Sequence, residues 1–261
     1  MQTLAVINQK GGVGKTTTAV NLGHALARRG RRVLLVDLDP QGHLAPCLGL
    51  FRAPSQGADR ALLHGGVLGD QAVATRELLE LVPAGDGLGE VERLQGGTER
   101  ARLLQEALQR MQPDYDDLIF DCPPSAGLLV MNALLAVGRV LVPVAGDFLS
   151  LTGLARLMGT LGRVEALRRR PLQRQVFMSR FVARRRLSRE VREKIATHFG
   201  PQLLETAISE AALLAECAGA GRTVFEYRPR SRSAGEFEAL ADEFLDEGAP
   251  AHEQEKACDV A

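Results

Sequence analysis

The sequence predicts a three-layer α/β fold built on a doubly wound, mostly parallel sheet, and three observations lead there. Short apolar runs alternate with helical patterns along most of the chain. Runs such as Val33-Leu34-Leu35-Val36 and Leu141-Val142-Pro143-Val144 are apolar at successive positions, as strands covered on both faces must be. A glycine-rich loop joins the first apolar run to an amphipathic pattern.

Taken in order, strands are expected at residues 4–7, 33–36, 78–82, 118–120, 140–144, 176–178 and 203–208. Helices are expected at residues 17–29, 99–111, 128–137, 149–167, 188–198 and 235–245. The first of these places Ala19, Leu22, Leu26 and Ala27 on one stripe, and Gly30 supplies its stop. Residues 42–97 are rich in glycine and carry no clear period, and no internal repeat is present. One domain over residues 1–248, followed by an acidic, disordered tail at 249–261, is the expected organisation.

At 45% hydrophobic and 25% charged, the 261 residues match an ordinary globular protein. No apolar run is long enough to cross a membrane and no cleavable leader opens the chain, so a cytoplasmic protein is expected. Cys47, Cys122, Cys217 and Cys258 are scattered without a C-x-x-C pair, which points to reduced thiols and away from a disulfide framework or zinc site. Net charge is zero but unevenly spread. Twelve basic residues between Arg163 and Lys194 face only Glu165, Glu190 and Glu193, whereas from Glu236 onward nine acids oppose Lys256 alone. Lysine occurs four times, and two of the four, Lys10 and Lys15, share one loop. There a compact ammonium cannot be exchanged for a planar guanidinium.

That loop carries the chemistry. A phosphate cradle needs glycines for close backbone approach, amides aimed at oxygen, a lysine for charge and a hydroxyl for magnesium. Gly11, Gly12, Val13, Gly14, Lys15, Thr16 and Thr17 provide them. The strict G-x-x-x-x-G-K-[ST] pattern is not met, because Gln9 stands at its first position and Lys10 follows. The competing reading, a plain glycine turn, leaves the strand, Gly-Lys-Thr-Thr and helix coincidence unexplained.

These blocks resemble the deviant Walker A family of ParA/Soj-type partition and positioning ATPases, relatives of the division-site protein MinD. The likeness spans Asn8-Gln9-Lys10-Gly11-Gly12-Val13-Gly14-Lys15-Thr16-Thr17-Thr18, Asn21-Leu22, Val33 to Gly42 through Asp37-Leu38-Asp39-Pro40, and Asp121-Cys122-Pro123-Pro124-Ser125. It implies a P-loop ATPase that uses ATP and Mg2+ and forms an ATP-sandwich homodimer in which Lys10 reaches the partner's phosphates. It further implies that Asp39 orients water for hydrolysis, and that Thr16, Asp121 and Asp39 belong to the metal shell. An Asp after a strand is also a common helix cap, and that reading stands beside the catalytic one.

The resemblance also places adenine between Ser179-Arg180 and a segment near Pro229. It assigns non-specific DNA contact to Arg184, with Arg185 and Arg186 beside it, and to Arg222. Relatives carry arginines just after the strand ending near Ile208, where this chain has Glu210 and Leu213, so its DNA surface is expected to differ. A charge run is otherwise a solvated face. A ParB-like or other adaptor that stimulates hydrolysis, and association with the nucleoid, follow from the family. A MinD-like spatial regulator needs a basic amphipathic C-terminal helix, and this tail is acidic and broken by Gly248 and Pro250. A nitrogenase-type iron protein needs glycine-flanked cysteines, and Cys122 lies between Asp121 and Pro123. A nucleotide-gated scaffold with little hydrolysis is the remaining alternative.

Overall fold

The computed structural model describes residues 1–94, 99–112 and 114–246, so the acidic tail and Cys258 lie outside the described residues. Strands β1 (Gln2–Val6), β2 (Val33–Asp37), β3 (Val73–Arg76), β4 (Leu79–Val82), β5 (Asp117–Asp121), β6 (Arg139–Ala145), β7 (Gln173–Phe181) and β8 (Leu203–Ser209) form one sheet. Their order is β3-β4-β2-β5-β1-β6-β7-β8. All neighbours run parallel except β3 and β4, which pair as a hairpin at the edge.

Helices α1 (Lys15–Ala27) and α2 (Leu44–Cys47) cover one face of the sheet. The chain then crosses for α3 (Ala58–His64), α4 (Leu88–Val91), α5 (Leu103–Gln109), α6 (Leu128–Ala136), α7 (Phe148–Arg168) and α8 (Arg186–Phe199). It returns for α9 (Ala212–Gly219), α10 (Val224–Tyr227) and α11 (Arg232–Asp246). Two cores result, one on each side of the sheet. Leu4, Val6, Leu35 and Ile119 point into the α1 side, and Ala5, Ile7, Leu34, Val36 and Phe120 into the other. This is why the central runs are apolar at successive positions: alternate residues serve different cores. Among the described residues no helix is long and apolar enough to cross a membrane.

Two local features bear on the site. Pro143 sits inside β6, normally a poor place for a residue without an N–H. The β1–β6 pairing ends at Val6 and Leu141, with one further bond from Ile7 N to Leu141 O, so Pro143 stands where that ladder runs out. The Asn8 side-chain amide instead donates to Pro143 O (2.8 Å) and anchors the start of the loop. Elsewhere Gly49, just after α2, and Gly221, just before α10, touch backbone to backbone. A Cβ on Gly221 would lie 2.6 Å from Gly49 Cα.

Candidate functional site

The register brings the carboxyl ends of three strands together, since Val6 pairs with Asp121 and Asp121 with Asp37. Strand addition reverses direction at β1, where open α/β sheets leave a crevice for ligands. The loop from Asn8 to Gly14 lines that crevice. Gly12 (φ 73°) and Gly14 (φ 90°) adopt the left-handed conformation that other residues resist, and Gly14 caps the N-terminus of α1. Amides at the start of this helix are available to an anion, and Lys15 and Thr16 are its first two residues.

Lys15 is buried, with its ammonium 3.3 Å from Lys10 O. Desolvation lowers its pKa, and Asp121 and Asp39 oppose that by favouring the charge. The Thr16 hydroxyl donates to Asp121 Oδ2 (2.6 Å), while Asp121 Oδ1 is buried without a partner. Burial pushes the Asp121 carboxyl up to about 7, although Thr16 and Lys15 pull the other way. A hydroxyl beside a buried, half-satisfied carboxylate fits a hard divalent cation. Asp37 is also buried and raised well above the carboxylate range by desolvation and by Asp121. It accepts from Asp39 N and Leu44 N, each at 3.0 Å, and so shapes the segment that carries Asp39. Asp39 itself is partly exposed and accepts from Gln41 N (3.0 Å). Among the described residues no three His, Cys, Asp or Glu side chains converge on one cation position.

Lys10 is turned back onto its own chain, where it meets both carboxylate oxygens of Asp147 (2.6 and 2.5 Å) and Ser150 Oγ (3.2 Å). Asp147 also caps α7 by accepting from Ser150 N (3.1 Å). The exposed side chains of Phe148 and Leu149 follow it. Neither Asp147 nor Ser150 was singled out from the sequence. The Gly-Asp-Phe-Leu-Ser pattern of an N-cap was the available signal.

Beside Gly12, Val13 and Gly14 opens a cavity of about 510 Å3, walled by Ser179 and Arg180 near the end of β7, Ile208 to Ala212 where β8 leads into α9, and Leu214, Ala215 and Ala218 of α9. Arg180 borders this cavity. Pro229 lies in the exposed turn between α10 and α11, outside its lining.

Topology divides the basic stretch. Because α7 runs away from the phosphate loop and β7 returns toward it, Arg163, Arg168, Arg169, Arg170 and Arg174 lie toward the opposite end of the sheet from Arg184, Arg185 and Arg186. Several charges are also engaged: Arg174 with Glu165, Arg192 with Glu205, Arg186 with Glu190 (2.6 Å) and Arg185 with Glu210 (3.6 Å). Among the described residues Arg184 and Arg222 are exposed without a carboxylate partner. Arg222 lies in the α1-side layer and Arg184 beside α8 in the other.

A phosphate loop after the first parallel strand, opening a helix whose first turn carries a buried lysine and a threonine bonded to the aspartate ending the neighbouring strand, defines a P-loop nucleotide-binding protein. Known proteins narrow the class. A family model described as an AAA domain matches residues 1–174. The sporulation initiation inhibitor protein Soj of Bacillus subtilis is 37% identical over 94% of this chain and 98% of its own length. The chromosome partitioning protein ParA of Caulobacter vibrioides is 36% identical over 94% of each. A structure of cobyrinic acid a,c-diamide synthase from Mycobacterium smegmatis with bound ADP and magnesium superposes with TM-score 0.79, 32% identity and 94% coverage of both chains. The chain belongs to the ParA/Soj-type ATPases of the ParA/MinD family.

Proposed function

We propose that this protein is a partition ATPase that binds ATP with magnesium, pairs into a nucleotide-sandwich homodimer, holds DNA without reading its sequence, and hydrolyses ATP when an adaptor protein stimulates it. The observation that carries the reading is the convergence of Lys15, Thr16 and Asp121 at the first turn of α1, with the Thr16 hydroxyl 2.6 Å from Asp121 and one carboxylate oxygen left open. Lys15 and the loop amides take the phosphates, while Thr16 and Asp121 are the residues that would hold Mg2+. When bound, the metal supplies positive charge against the phosphate oxygens.

Asp39, held by the Asp37-anchored segment, orients the attacking water, and Lys10 acts across the interface once it leaves Asp147. The exposed Phe148 and Leu149 beside it suit a surface that a second copy covers. The base occupies the cavity under α9, bordered by Arg180. Arg184, Arg185, Arg186 and Arg222 supply phosphate contacts to DNA, which would place the protein on the nucleoid in the cytoplasm. Names of the relatives, chromosome partitioning among them, support the cellular role.

The test is phosphate release from Mg-ATP measured with DNA, with a candidate adaptor, and with both. Stimulated release supports the ATPase reading. Tight nucleotide binding and ATP-dependent dimers without any release would instead favour a nucleotide-gated scaffold.

A further inference from the structure

Two cavities flank the phosphate loop and share a wall. The larger, about 510 Å3, runs under α9. The smaller, about 220 Å3, contains Lys10 and Asp147. Gly12, Val13, Arg180 and Glu210 line both, so they form the shared wall. Arg180 spans it. Nη1 donates to Gly12 O (3.0 Å), and Nη2 and Nε donate to Glu210 Oε1 (2.7 and 3.2 Å). Arg185 Nη1 lies 3.6 Å from the other Glu210 oxygen, so the carboxylate is held from two sides. The Arg180 backbone has φ 47°, a left-handed conformation that a non-glycine residue keeps only where its surroundings hold it.

We propose that Arg180 and Glu210 form a strap over the edge of the base cavity, and that its opening sets how fast nucleotide enters and leaves. The proposal rests on the base occupying that cavity. A nucleotide with its base under α9 and its phosphates along the loop as far as Gly11, which lines the smaller cavity, lies against the wall that Arg180 bridges at Gly12. The strap is built to open: its arginine side chain is 55% exposed and its glutamate 36% exposed, and exposed ion pairs of this kind are weak. It therefore acts on both directions of exchange more than on the equilibrium between them. Without Arg180 the shared wall loses its bridge from Gly12 to Glu210, and of the two ion pairs on Glu210 only that with Arg185 remains.

The experiment is stopped-flow exchange of a fluorescent mant-ADP with magnesium on the full chain. Glu210→Ala should raise both association and dissociation rate constants by about two- to fivefold, with Kd changed by less than about twofold, and Arg180→Ala should raise both rate constants as well. Raising salt from about 0.05 M to about 0.5 M should speed exchange in the wild type and have much less effect in either variant. Unchanged rates would overturn the strap. So would a rise in dissociation alone with a matching rise in Kd, which would make Arg180 a direct contact of the nucleotide. Ala215→Trp, which fills the cavity from α9, separates this from the reading beneath it. If that variant binds mant-ADP as tightly as wild type, the base lies elsewhere and both fall; if it loses affinity while the strap variants exchange at the wild-type rate, only the strap falls.

Discussion

The Lys10 ammonium is bound by both carboxylate oxygens of Asp147, a residue 137 positions later that also caps the longest helix. Burial by itself would raise the Asp147 carboxyl, but Lys10 and the Ser150 donors outweigh it and hold the group below its ordinary range. Its contribution is thus present above the unfolded carboxylate pKa and is lost only as pH falls through the lower folded value.

A lysine held in this way must be released before it can act on a partner copy. Asp147→Asn, which keeps an acceptor for Ser150 N but removes the charge, should lower the concentration needed for ATP-dependent dimers by about three- to tenfold. Lys10→Ala should bind nucleotide as a monomer and fail to dimerise, whereas Lys15→Ala should lose nucleotide binding itself. Sedimentation with Mg-ATP decides: a Lys10→Ala protein that still dimerises would end the trans role.

Asp39→Ala should leave nucleotide binding and dimerisation intact while slowing hydrolysis by about a hundredfold or more, the scale of losing a positioned proton acceptor. The Asp37 carboxylate, which fixes the segment through Asp39 N and Leu44 N, stays in place in that variant. Wild-type phosphate release would remove Asp39 from the reaction.

The Asp121 carboxyl, raised from its ordinary value near 3.8 to about 7, gives a pH signature. Between these values the folded protein keeps a proton that the unfolded chain has released, so stability without ligand falls as pH rises through that window. Magnesium nucleotide should therefore stabilise the protein more at pH 8 than at pH 6, with proton release on binding near neutrality. Asp121→Asn should abolish the pH dependence and the magnesium requirement together. Melting curves at both pH values check this, and an Asn variant that retains both would exclude Asp121 as the metal partner.

If two monomers each neutralise about three phosphates, log K for DNA should fall with log salt at a slope near about −5, so a fourfold rise in salt costs on the order of a thousandfold in affinity. The triple Arg184/Arg185/Arg186→Ala variant should flatten that slope on unrelated DNA sequences. Glu190 engages Arg186 and Glu210 engages Arg185, so Arg184→Ala alone should lose more affinity than Arg186→Ala alone. An unchanged slope in the triple variant would leave these arginines as a solvated face.

Much of this was legible in the chain itself, because buried parallel strands and phosphate loops are short-range patterns. β2, β5 and β6 read directly as unbroken apolar runs, and Gly14-Lys15-Thr16 located the site. The hairpin of β3 with β4 was illegible, since Val-Ala-Thr-Arg at a sheet edge is only partly buried and lacks strand contrast. Short helices α2, α3 and α4 were missed among glycines for a related reason: a helix of one or two turns cannot establish a period. Asp147, Arg180 and Glu210 acquire their roles only through contacts between residues 30 to 168 positions apart, which no local pattern encodes.

The bare contact between Gly49 and Gly221 ties the segment after Asp39 to the turn before α10. Arg76 stitches the same junction, donating to Leu48 O (2.6 Å) and Gly221 O (3.0 Å) and pairing with Glu226 (3.0 Å). No side chain separates the two segments there, and one arginine is bonded to both sides of the seam. The seam therefore joins the end of α2 to the turn bearing Arg222 backbone against backbone, and any residue larger than glycine at position 221 would force the two segments apart.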